Sequence, residues 1–248
     1  MEFAYRTDVG RKRLNNQDYV GVFSNQAGAK LALVADGMGG HRGGDVASEM
    51  AVSHVGFDFE KTTTTDIEAI VKWLIFELQQ ENERILEKAQ QYRDLLGMGT
   101  TIVATIISGT RFLVANIGDS RAYLYRGQRL MQITEDHSLV NELVKRGELT
   151  PEEAARFPQK NVITRSLGVN NDVDADVTIY DMEPDDYLLL CSDGLTNMVS
   201  DPQIAGVLRE DMSLGAKAQE LILMANAAGG TDNITALLIH QEGRLGDD

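Results

Sequence analysis

Residues 100–107 (TTIVATII), 111–117 (RFLVANI) and 121–125 (RAYLY) are three β-rich runs separated only by Ser108-Gly109-Thr110 and Gly118-Asp119-Ser120. The separators are turn-forming residues, so each run reads as a strand closed by a tight turn. Parallel pairing needs a crossover of about a dozen residues or more, which these gaps cannot hold, so the neighbours pair antiparallel. Further out, 30–35 (KLALVA) and 187–191 (YLLLC) are short apolar runs followed closely by Asp-Gly, and they read as buried strands ending in turns. Residues 175–180 and 233–239 add two more strands. Helical spacing appears at 44–56, with Val46, Met50 and Val55 near one face, and at 66–90, with Ile67, Ile70, Val71, Leu74, Ile75, Leu78, Ile85 and Leu86. Residues 201–209 and 213–227 open with suitable cap residues, and 137–158 reads as shorter helical pieces ending near Pro158. The pattern predicts an α+β fold: antiparallel sheet with helices packed outside it.

The 248 residues fit one domain, 1–248, and 43% hydrophobic residues suffice for a core. A formal charge of −15 argues against nucleic-acid binding, because a phosphate backbone would be repelled at long range. Cys191 is the single cysteine, so neither an internal disulfide nor a thiolate metal cluster can form, in keeping with a cytoplasmic location. The first twenty residues carry charges throughout and contain no signal-like apolar stretch. No apolar run approaches the ~18 residues of a membrane span.

Four aspartates share one context: Asp36 (LALVADG), Asp119 (VANIGDS) and Asp193 (LLLCSDG) follow apolar strands, and Asp232 (GTDNITALLI) precedes one. Each alone also fits an ordinary turn, where its side chain bonds the local backbone. Strand ends and starts adjoin in an antiparallel sheet, so the four are expected to converge on one edge. Clustered carboxylates repel unless a cation is present, and all-oxygen ligands suit Mg²⁺, Mn²⁺ or Ca²⁺. Gly37, Gly39 and Gly40 would let backbone carbonyls approach such an ion.

Arg13 with Asn16-Gln17-Asp18, Asp36-Gly37-Met38-Gly39-Gly40, Gly99-Thr100-Thr101, Gly118-Asp119-Ser120-Arg121, Asp136-His137, Thr164-Arg165-Ser166-Leu167-Gly168, Ser192-Asp193-Gly194 and Asp232-Asn233 together resemble the PPM/PP2C metal-dependent protein phosphatases, especially compact bacterial members. The resemblance covers nearly the whole chain. It implies a four-layer α/β/β/α sandwich of two mainly antiparallel sheets, with two Mg²⁺ or Mn²⁺ ions at one end. By the same resemblance Asp36 bridges the ions, Gly37 lends a carbonyl to one, and Asp193 and Asp232 hold the other. Asp119 with Asp193 resembles a weaker third site. Arg13 would grip the substrate phosphate and Asp18 would bind metal-held water. The implied reaction is hydrolysis of phosphoserine and phosphothreonine in proteins by water activated between the ions, opposing a cognate Ser/Thr kinase; a monomer is expected.

Two positions depart from the commoner pattern. Gln17 stands where many members have Glu, and Met38 stands where many eukaryotic members have a His that is proposed to protonate the leaving group. His41, in the neighbouring loop, reads as solvent-facing. Residues 141–161 mix Lys145, Arg146, Glu148, Glu152, Glu153 and Arg156 around Gly147 and Pro151, and they read as a mobile flap beside the site. Competing readings are weaker. Asp174-Ala175-Asp176-Val177-Thr178 matches the Asp-x-Asp-x-Thr string of haloacid-dehalogenase-like phosphatases, but it leads into a strand instead of ending an apolar one. A catalytically silent phosphoprotein binder draws support only from Gln17. Arg42 breaks a dinucleotide-binding glycine pattern, and Cys191 lacks the downstream Arg of a cysteine phosphatase.

Overall fold

The computed structural model describes every residue except 40–42, 155–156, 160 and 244–248. One sheet has the order β1 (Glu2–Asp8), β11 (Ile234–His240), β10 (Tyr187–Cys191), β7 (Arg121–Arg126), β8 (Arg129–Gln132). The other runs β2 (Asp18–Ser24), β3 (Lys30–Met38), β5 (Ile102–Ser108), β6 (Arg111–Ile117), β9 (Asp176–Asp181), with the short β4 (Gly99–Thr100) paired to the end of β3. Every pairing among these strands is antiparallel, including the β5–β6 hairpin that the sequence demanded.

Successive side chains of a strand face opposite ways, and here both faces are covered. Leu31, Leu33 and Ala35 of β3 pack with Val52 and Phe59 of α1 (Gly44–Glu60) and Leu74 and Leu78 of α2 (Ile67–Gln91). Ala32 and Val34 face the other sheet, where they share a core with Leu188, Leu190, Leu237 and Ile239. On the far side, Leu189, Cys191, Ala236 and Leu238 meet Leu195 of α5 (Asp193–Thr196), Ile204 of α6 (Asp201–Arg209) and Leu221 of α7 (Leu214–Ala227). The result is helix, sheet, sheet, helix. Double-sided burial explains why these strands read as unbroken apolar runs, and each fully buried Leu stabilises the stack by roughly 1.5–3 kcal/mol. Asp66 caps α2 by accepting from the Glu68 N–H, and Ser213 caps α7 by accepting from Ala216. Among the described residues no helix is long and apolar enough to cross a membrane.

Three sequence expectations need correction. Strand β3 does not stop at Ala35 but continues through Asp36 to Met38, because Gly37 and Met38 find partners in Thr100 and Gly99. The run at 100–107 is broken at Thr101, whose N–H donates to the Asp36 carbonyl and whose hydroxyl accepts from the Asp36 N–H. The helix expected at 44–56 extends to Glu60. Strands β1, β2 and β8 join those that the sequence suggested.

Candidate metal centre

At one end of the sandwich the two sheets deliver carboxylates to a common cleft of about 720 Å³, lined by Asp36, Asp119, Asp193 and Asp232 together with Arg13 and Gly37. Asp18 opens β2 in register with Asp36 of β3 and is buried behind the cleft. Asp119 follows β6, Asp193 opens α5 directly after β10, and Asp232 precedes β11. The expected convergence on one edge of a sheet is therefore replaced by a meeting of two sheets: Asp18, Asp36 and Asp119 hang from one, Asp193 and Asp232 from the other.

The carboxylates of Asp18, Asp193 and Asp232 are held by short polar neighbours, and the backbone beside Asp36 and Asp119 is braced. Asp18 accepts at Oδ2 from Ser192 Oγ (2.6 Å) and Thr235 Oγ1 (2.7 Å), which ties its strand to the opposite sheet. Asn197 Nδ2 donates to Asp193 Oδ2 (2.9 Å). Asp232 accepts from the Asn233 N–H at Oδ1 (2.8 Å) and from Arg13 Nη2 at Oδ2 (2.7 Å). Thr101 Oγ1, which holds the Asp36 N–H, also shares a hydrogen bond with Ser120 Oγ (2.8 Å), beside Asp119. Asn233 binds the carbonyls of Val9 and Asn15 and the N–H of Gln17, pinning the loop that carries Arg13. A Cβ at Gly37 would lie 1.9 Å from the Gly44 carbonyl oxygen, so only glycine fits there.

The sequence reading missed these supporting residues. Ser192, Ser120 and Asn233 adjoin an aspartate within the quoted motifs, which was the available signal; Thr235 is far from Asp18 in sequence and gave none.

Burial, and after it the crowding of like charge, sets the electrostatics. Burial first, then the charges of Asp18, Asp193, Asp119 and Asp232, pushes Asp36 well above the usual carboxylate range. Burial pushes Asp18 up to about 7 against the hydrogen bonds from Ser192 and Thr235, and pushes Asp119 up to about 7 with help from Asp193. Asp193 is raised by burial and next by Asp232. Two like charges ~4 Å apart repel by about 4 kcal/mol at an effective dielectric near 20, so several ionised carboxylates need either protons or a cation between them.

The donor set fits a divalent ion. It is all oxygen, and Asp18 Oδ1 and Asp193 Oδ1 are buried with no hydrogen-bond partner. No group of three or more Asp, Glu, His or Cys side chains among the described residues is already drawn around one point as a metal cage. Of the Asp36, Asp193 and Asp232 trio expected around one ion, Asp232 is held by Arg13.

Other sequence candidates fall elsewhere. Asp174 is exposed in the lead-in to β9 and pairs with Arg165, so the dehalogenase-like string ends no apolar strand. Cys191 is buried, and burial pushes its thiol up to about 12, which suits core and not a nucleophile. Met38 lines the cleft. Gly40, His41 and Arg42, and Arg156 of the flap, lie outside the described residues. Over and just before the segment expected to form a flap, the described residues form α3 (Leu139–Lys145) and α4 (Pro151–Ala154), and Asn161 borders the cleft.

The model of the family described as protein phosphatase 2C matches residues 9–233. The chain belongs to the protein phosphatase 2C family. By that membership it is a metal-dependent protein serine/threonine phosphatase, a phosphoric monoester hydrolase. A putative protein phosphatase 2C-type from Streptococcus pyogenes serotype M6 is 47% identical over 98% of both chains. The solved S. agalactiae serine/threonine phosphatase superposes with a TM-score of 0.94 at 47% identity, covering 97% of this chain and 99% of that one. The catalytic domain of the phosphatase PstP, solved in complex with two manganese ions, superposes with a TM-score of 0.84 at 36% identity over 97% and 98% of the two chains.

Proposed function

We propose that this phosphatase removes phosphate from phosphoserine and phosphothreonine in proteins, using two Mg²⁺ or Mn²⁺ ions held by Asp36, the Gly37 carbonyl, Asp193 and Asp232. A weaker third ion would sit at Asp119 and Asp193. The observation that carries this reading is the gathering of Asp18, Asp36, Asp119, Asp193 and Asp232 from two sheets at one cleft, with four of them raised by burial and mutual charge. When bound, the ions supply a water acidic enough to ionise near neutral pH and positive charge against the phosphoryl oxygens. Arg13, half exposed at the cleft mouth, turns its guanidinium from Asp232 to the substrate phosphate. Asp18 is fixed through Oδ2, which leaves Oδ1 to accept a hydrogen bond from water. Met38 can neither give nor take the leaving-group proton, so a solvent molecule near Asp119 delivers it.

Substrate proteins require a phosphoryl-transfer enzyme upstream, so a Ser/Thr kinase is the natural opposing activity. The lone, buried thiol of Cys191 is in keeping with a reducing cytoplasm, and the chain acts as a monomer with residues 141–161 as its flap. The test is hydrolysis of p-nitrophenyl phosphate and a phosphothreonine peptide with Mn²⁺ and with EDTA. Turnover is expected only with metal, and Asp36→Ala or Asp232→Ala should nearly abolish it; activity within a few-fold of wild type in either variant rejects the assignment.

A further inference from the structure

The loop that carries Arg13 presents two side chains for which the proposed chemistry has no use. Leu14 is fully exposed, at 100%, the highest value among the described large hydrophobic residues. Lys12 is exposed and makes no hydrogen bond or ion pair with any described residue. An exposed leucine on a floppy tip carries no message. This loop is not floppy by its bonding. The Arg11 N–H donates to the Gly230 carbonyl and Arg11 Nε to the Asn226 carbonyl, both at 2.7 Å. Arg13 holds Asp232, the Asn15 carbonyl accepts from Asn233, Asn16 Nδ2 donates to Thr7 Oγ1, and the Gln17 N–H donates to Asn233.

Lys12 and Leu14 alternate with these anchored residues, and both line the carboxylate cleft together with Met38 and Ile163. An apolar side chain on an anchored loop, and a cation with no partner among the described residues, are thus displayed beside the point where the phosphate would be gripped. In a chain of net charge −15, whose long-range field disfavours acidic peptides, a cation at the cleft rim offers them a local point of attraction.

We infer that Lys12 and Leu14 read the residues flanking the phosphorylated hydroxyl, so that the enzyme prefers phosphopeptides with an acidic and a large apolar neighbour. Lys12 attracts the acidic side chain at the rim, where an exposed pair changes kcat/KM by roughly 1.5- to 5-fold. Leu14 covers the apolar neighbour and leaves water on both surfaces when that neighbour is small or polar. The inference rests on the phosphatase reading.

The experiment measures kcat/KM with Mn²⁺ for four phosphothreonine peptides that differ in one flanking charge (Glu or Lys) and one flanking apolar position (Leu or Ser). Wild type, Lys12→Glu, Lys12→Gln and Leu14→Asp are compared, with thermal melts to verify folding. Metal-dependent turnover of any peptide by wild type upholds the phosphatase reading; its absence overturns that reading and leaves the flanking-residue ratios undefined. Wild type is expected to favour Glu over Lys by about threefold. Lys12→Gln should level that ratio and Lys12→Glu invert it, while Leu14→Asp should erase the Leu-over-Ser preference and leave the charge ratio intact. Turnover with the same ratios in all four proteins overturns the inference.

Discussion

Asp232 meets two opposing demands, since both of its oxygens already accept hydrogen bonds, one of them from Arg13 at 2.7 Å. A cation drawn to Asp232 competes with that guanidinium, and metal loading would free Arg13 for phosphate. Arg13→Ala is therefore expected to have two effects of opposite sign. It should raise KM for phosphopeptides roughly 10- to 150-fold, the value of a charge-assisted hydrogen bond of about 1.5–3 kcal/mol. It should also tighten Mn²⁺ binding measured by calorimetry. Lys12→Ala removes the same charge without touching Asp232 and is the control: equal tightening in both variants would reduce the effect to long-range charge.

Among the elements, the central strands were legible in sequence because both of their faces are buried and their turns are chemically marked. The edges were not. Strand β1 (EFAYRTD) is largely exposed, and β8 (RLMQ) has no apolar run to betray it. Strand β2 carries Gly21 at its centre, which blurs a strand pattern. The structure supplies the reason, since a Cβ at Gly21 would lie 2.6 Å from the Phe23 ring, and one at Gly56 of α1 would lie 2.2 Å from it. Two glycines make room for one aromatic ring between a helix and a strand. Gly56→Ala gains about 1 kcal/mol of helix propensity but forces overpacking of about 1–3 kcal/mol, so a net loss of stability is expected in urea denaturation. Adding Phe23→Leu should recover most of it; a stabilised Gly56→Ala protein would show that the ring moves aside freely. The four turn aspartates were likewise legible singly, but their meeting between two sheets was not, because sheet order is set by contacts distant in sequence.

At the scale of the whole molecule, the buried carboxylates link stability to pH. Asp18 and Asp119 sit at about 7 against an ordinary value of 3.8, and Asp36 and Asp193 are raised too. The folded protein without metal thus holds more protons than the unfolded chain between pH 4 and 7, and its stability falls as pH rises through that window. In EDTA the melting temperature is expected to be higher at pH 6 than at pH 8, and Mn²⁺ should raise it more at pH 8, where the ligands are ionised. A melting temperature in EDTA that rises from pH 6 to pH 8 would mean that burial and mutual charge do not hold these carboxylates above their ordinary range.

The proposed binding of divalent ions by Asp36, Asp119, Asp193 and Asp232 is tested most directly by titrating Mn²⁺ calorimetrically into wild type, Asp36→Ala and Asp119→Ala while phosphopeptide turnover is followed across the same concentrations. Wild type should take up two ions and then a weaker third, with turnover rising as the sites fill. Asp119→Ala should lose only the weak site and part of the turnover, and Asp36→Ala should lose the tight pair and nearly all activity. Binding and turnover in Asp36→Ala equal to wild type would contradict the account.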